Sequence, residues 1–234
     1  MNTNSPHHQP GLLKLGRHLL NPVLRLFAEG CHRIYYQLRE GAGHPKRDIM
    51  VSRVIDAREH LEGAKEQFQS ALEKFSALTH FEGGELEPLY YDLKDEFDNA
   101  QHCALAVRDR IDSIQDVAEA LFAEWEQELA LYSNRTLRAS SRTRMKQTQQ
   151  YYGQLMTAMR KAEARMDPVL SVFQDQVLFL KHNLNAQAVA ALEGELVDMS
   201  RNVATLIAAM QNSIDRADVF MHNFTAPKSL PHES

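Results

Sequence analysis

A disulfide framework, glycine-rich loops and membrane-spanning runs are all missing from this chain, and each absence removes a class of protein. Two of its 234 residues are cysteine, Cys31 and Cys103, which is too few for a disulfide framework. No uninterrupted apolar run reaches the ~18 residues that a bilayer-spanning helix requires. Of ten glycines and eight prolines most stand outside the long periodic segments, and no glycine-rich phosphate loop exists. With aromatic residues at 8%, the chain is dominated by Leu, Ala, Glu, Gln, Arg and Met. These side chains lose least on entering a helix, so composition alone favours an all-α protein. The net charge of −5 argues against general nucleic-acid binding.

What is present is periodicity. From Leu86 to Tyr132 apolar residues recur at alternating steps of three and four: Leu86, Leu89, Leu93, Phe97, Ala100, Ala104, Val107, Ile111, Ile114, Ala118, Leu121, Trp125, Leu129, Tyr132. A seam held in phase this long is the mark of a coiled coil. Three further segments keep the same habit, from about Lys46 to Leu78, from Arg135 to Lys181, and from Ala186 to Met221. Gly83-Gly84, Ser133-Asn134 and Asn183-Leu184-Asn185 separate them with residues suited to helix ends. Pro88 falls in the first turn of the second helix, where its missing N–H costs nothing. Pro168 lies inside the third segment and predicts a kink there, or a break with Asp167 as a new N-cap.

Short connections make consecutive helices antiparallel. The fold expected is an elongated antiparallel four-helix coiled-coil bundle over residues 45–222. A flexible leader (1–44) precedes it and a disordered tail (223–234) follows. The two middle helices are longer than the outer two, so the turn at Ser133-Asn134 is expected to project as a two-helix hairpin.

Charge is distributed unevenly along this plan. Residues 48–128 hold seven basic and twenty acidic side chains, whereas residues 129–162 hold seven basic and no acidic ones. Arg135, Arg138, Arg142, Arg144 and Lys146 are the candidate contacts for an anionic surface. The leader is also basic, and in 12–27 Leu12, Leu19, Leu20, Val23, Leu24 and Phe27 can share one face. That pattern fits an interfacial amphipathic helix, a degenerate export signal or a docking segment, and the residues leave all three open.

A search for chemistry finds none. The eleven histidines include no pair at i, i+3 or i, i+4 on a helix, and no glutamate of the four periodic segments is followed three residues later by histidine. Neither structural zinc nor a carboxylate-bridged di-iron centre is therefore expected. Carboxylate pairs such as Glu62/Glu66, Asp92/Glu96 and Glu124/Glu128 read as a solvated face. No catalytic, cofactor-binding or metal residue is assigned, and no small-molecule substrate is implied.

Three blocks carry a family resemblance: HPKRDIMVSRVIDAREHLEGAKEQFQSALEKFSAL, IDSIQDVAEALFAEWEQEL and MDPVLSVFQDQVLFLKHNLNAQAVAALEGEL. Over roughly 44–221 the chain resembles the bacterial domain-of-unknown-function family 2959. The resemblance implies a helical coiled-coil protein without an assigned activity. Many members look like exported lipoproteins in which a cysteine closes an apolar signal before a Tyr-Tyr stretch. Cys31, ahead of Tyr35-Tyr36, stands at that place and is the candidate for lipidation. Glu29 departs from the pattern, since a small residue is expected there, and Arg25 interrupts the apolar core.

The expectation is a non-enzymatic structural or interaction protein at the periplasmic face of the bacterial envelope, meeting an anionic membrane surface through a basic pole. The alternative is a soluble, self-associating coiled-coil scaffold or adaptor, with the cytoplasm as its compartment.

Overall fold

The computed structural model of the chain describes residues 46–81, Gly83 and 85–225. Cys31, with everything else before Lys46, lies outside the described residues. Among the described residues five helices follow one another: α1 (Lys46–Thr79), α2 (Leu86–Leu131), α3 (Arg135–His182), α4 (Ala186–Glu193) and α5 (Leu196–Thr225). No strand occurs among the described residues. The protein is an all-α helical bundle.

The heptad seam is what folds it. On α2 each seam position from Leu93 through Leu121 is buried, and so is Leu129. On α1, Val54, Leu61, Ala64, Phe68, Ala71, Phe75 and Leu78 have no exposed surface. Phe75 meets Phe173 of α3 edge to face, with ring centroids 6.2 Å apart and planes at 83°. This contact joins α1 to α3 through the centre of the bundle.

Polar ties on the outside fix register and direction. Asp56 of α1 pairs with Arg110 of α2 at 3.0 Å, and Lys74 pairs with Asp92 at 3.0 Å. Arg108 of α2 reaches Glu163 and Asp167 of α3, while Arg160 of α3 reaches Asp112 of α2. Arg216 of α5 donates to Gln154 of α3, and Arg58 of α1 pairs with Asp218 of α5. Lys65 of α1 also reaches Gln211 of α5, so along α1–α2, α2–α3 and α1–α5 one number rises as the other falls, and neighbours run antiparallel. The four long helices close a ring in the order α1, α2, α3, α5.

The ends of the helices follow local chemistry. Gly83 adopts φ +139°, a backbone that favours glycine, and ends the link after α1. The Asn134 side chain accepts from the backbone N–H groups of Thr136 and Leu137, capping α3. Asn185 does the same for α4 through Ala188.

Three expectations need correction. Pro168 neither breaks α3 nor makes Asp167 a cap: the helix runs unbroken to His182, and Asp167 binds Arg108 instead. Pro168 and Ala164 are both exposed, so water can serve the Ala164 carbonyl that proline leaves without a donor. The fourth periodic segment is two helices rather than one. A turn at Gly194-Glu195 separates them, with Glu195 N–H bonding to the Leu192 carbonyl at 3.0 Å. Finally, the last helix passes the expected domain limit at residue 222 and ends at Thr225. Phe224 is the cause: it is 3% exposed, stacks on Phe220 at 5.1 Å and carries the Arg47 guanidinium 4.4 Å above its ring.

The unequal lengths position the candidate site. Extending the α1–α2 register places Arg47 level with about residue 119 of α2. On α3, Arg144 lies in a cleft beside Phe220 and Phe224, close to the end of α5. The last dozen residues of α2 and the first ten of α3 therefore run past the described ends of α1 and α5. At 1.5 Å per residue that overhang is about 15 Å.

A candidate surface site on the helical hairpin

The two arms of the overhang are held by a small set of contacts. Trp125 Nε1 donates to Ser141 Oγ at 2.9 Å, so the seam position opens into a cross-arm hydrogen bond. One turn deeper, Phe122 meets Tyr152 edge to face at 5.6 Å. Leu129 is buried, and Asn134 pins the start of the returning arm. Burial raises the Tyr152 hydroxyl above its ordinary pKa, with Glu119 adding in the same direction.

Arg135, Arg138, Arg142 and Lys146 stand at successive steps of three, four and four, so they share one stripe of α3. All four are exposed. None forms an ion pair with a described residue. The fifth candidate, Arg144, sits apart from them. It lines the cleft of about 200 Å³ with Thr148, Tyr151, Asn223 and Phe224. There it faces Arg47, which donates to the Phe224 carbonyl at the end of α5. Burial and then the charge of Arg144 both lower the Arg47 pKa, so this corner is electrostatically loaded. Arg160, a member of the same acid-free stretch in sequence, is neutralised by Asp112 and Glu163.

Folding brings in acids that the linear count left out. Glu124, Glu126 and Glu128 lie on the α2 arm, opposite the arginines. Glu128 follows Arg110 by five full turns and shares its flank, the side that faces α1 lower down. Glu126 stands in the same relation to Arg108 and shares the flank facing α3. The hairpin thus has one basic arm and one acidic arm.

Sequence reasoning missed the apolar end. Every residue from Ala130 to Ser140 is exposed, including Leu131 at 83%, Leu137 at 53% and Tyr132 at 39%. Tyr132 ends the α2 seam series, and Leu137 opens the apolar face of α3. The seam simply outlasts the helices that could cover it, a signal already present in the unequal segment lengths.

At the opposite end of the bundle some acids are partnered, whereas Glu85 and Glu87 form no ion pair with a described residue. Asp92 is paired by Lys74, Asp98 by Lys94 at 2.5 Å, and Glu96 accepts from Gln67. Cys103 is half-buried, and desolvation raises its thiol pKa. Among the described residues no group of three or more His, Cys, Asp or Glu converges as metal ligands. No described helix is long and apolar enough to cross a membrane.

These features define an all-α helical bundle with a helical hairpin at one end. The chain belongs to the family described as protein of unknown function (DUF2959), whose model matches residues 35–224. No curated protein matches the chain.

Proposed function

We propose that this protein is a non-enzymatic structural or interaction protein of the bacterial envelope that meets an anionic membrane surface through the α3 arm of its hairpin. The observation that carries the reading is the exposed stripe Arg135, Arg138, Arg142 and Lys146, its three arginines on the overhang and Lys146 just below it, without ion partners among the described residues. An exposed cation near anionic lipid headgroups gains roughly 1 kcal/mol. Four such cations on one stripe supply enough attraction to orient a rod. The acidic arm limits the approach to one side, so the hairpin lies with its α3 arm toward the lipid. The envelope as compartment rests on the resemblance to lipoprotein-like sequences.

Flotation with vesicles tests the reading. Binding to vesicles rich in phosphatidylglycerol, little binding to phosphatidylcholine, and loss on replacing Arg135, Arg138, Arg142 and Lys146 by Gln are expected. Equal binding to both vesicle types, or no change in the variant, contradicts it. The scaffold reading is favoured instead if the purified chain has a solution mass well above 26.7 kDa and ignores vesicles.

A further inference from the structure

We infer that the end of the hairpin is an insertion element, in which Leu131, Tyr132 and Leu137 enter the interfacial layer of an anionic bilayer. The inference rests on the surface reading above and adds an apolar contact to an electrostatic one. Its basis is the juxtaposition at one extremity of three large exposed apolar side chains with Arg135 and Arg138.

The local geometry suits that role. Leu131 is the last residue of α2, Tyr132 is its C-cap, and Leu137 lies in the first turn of α3. The turn between the arms keeps all three within seven residues at the outermost point of the overhang. Asn134 fixes the turn by two hydrogen bonds to α3, so little backbone order has to be gained on binding. Tyrosine suits the interfacial layer because its ring is apolar and its hydroxyl stays hydrated. Arginines beside the apolar group can hold lipid phosphates while the leucines displace water from the acyl boundary. Charge complementarity selects an anionic lipid surface over an acid-neutral protein groove as the occupant.

Apolar insertion and charge attraction respond differently to salt. In 1 M salt the Debye length falls to about 3 Å, which removes most surface attraction and leaves apolar burial intact. Binding is therefore weakened but retained at high salt.

The test uses the full chain with Trp125→Phe and Leu131→Trp, mixed with phosphatidylglycerol vesicles carrying brominated acyl chains. The expected result is a blue shift and quenching of the introduced indole, still present in 1 M salt. In the native background, Leu131→Ser with Leu137→Ser should lower vesicle partitioning about tenfold while leaving the helical melting curve unchanged. Bound protein whose introduced indole stays unquenched overturns insertion and leaves the electrostatic reading standing. Failure to bind any vesicle overturns both. A concentration-dependent dimer abolished by the double serine variant, with no vesicle quenching, also overturns insertion by showing that a second copy covers the tip.

Discussion

The body of the bundle and its overhanging hairpin are built from the same heptad seam, yet they bury it very differently. In the body, the seam residues of α1 are sealed by three other helices, and Phe75 and Phe173 have no exposed surface. In the hairpin, two arms face each other, and the seam runs out into water at Tyr132 and Leu137. Identical local pattern thus produces structural core where partners are present and a candidate contact surface where they end. Helix length, more than residue type, makes the difference.

The largest expected effect lies in the body. Phe173→Ala removes a buried α3 ring packed on Phe75 of α1 and should cost about 3–5 kcal/mol, read as a lower midpoint in urea. Leu131→Ser at the tip should change the unfolding free energy by less than about 0.5 kcal/mol. Comparable losses at both positions would erase the contrast between the regions.

Next comes the corner where the two regions meet. Arg47→Ala removes the cation above Phe224 and the donor to its carbonyl, for an expected loss of about 1–2 kcal/mol. Hydrogen exchange should show fraying of the end of α5 around Phe220 and Phe224. Stability lost without such local fraying would place the role of Arg47 elsewhere.

Within the hairpin, Asn134→Ala should cost about 1 kcal/mol and quicken exchange at Thr136 and Leu137, whose N–H groups it caps. Exchange in the body should stay unchanged. Smallest of all is a chemical effect. Burial holds the Cys103 thiol above its ordinary pKa, so less thiolate is present at pH 8 than in an exposed cysteine. Alkylation at Cys103 should be slower than at an unstructured peptide cysteine and should reach the same rate in denaturant.

Much of this contrast was legible before any coordinates. The alternating steps of three and four from Leu93 to Leu121 named the buried face of α2, because a seam in phase must bury one side. The unequal segments also implied an overhang. Other features needed the third dimension. The acids Glu124, Glu126 and Glu128 precede the arginine stretch in sequence but stand opposite it once the chain reverses at Asn134. Arg160 belonged to that stretch in sequence and is satisfied by Asp112 across the helix pair. Of the two outcomes expected at Pro168 the break does not occur, because its exposed position lets solvent absorb the missing bond. Phe224 fell outside the expected domain because its stacking partner and its cation come from Phe220 and the far end of α1.

Hydrogen exchange of the full chain, with and without phosphatidylglycerol vesicles, measures the central claim directly. New protection confined to residues 129–146, with residues 93–118 unaltered, is the result expected of a hairpin that docks by its end. Protection spread along the bundle, or none in the hairpin while vesicles are bound, would contradict it.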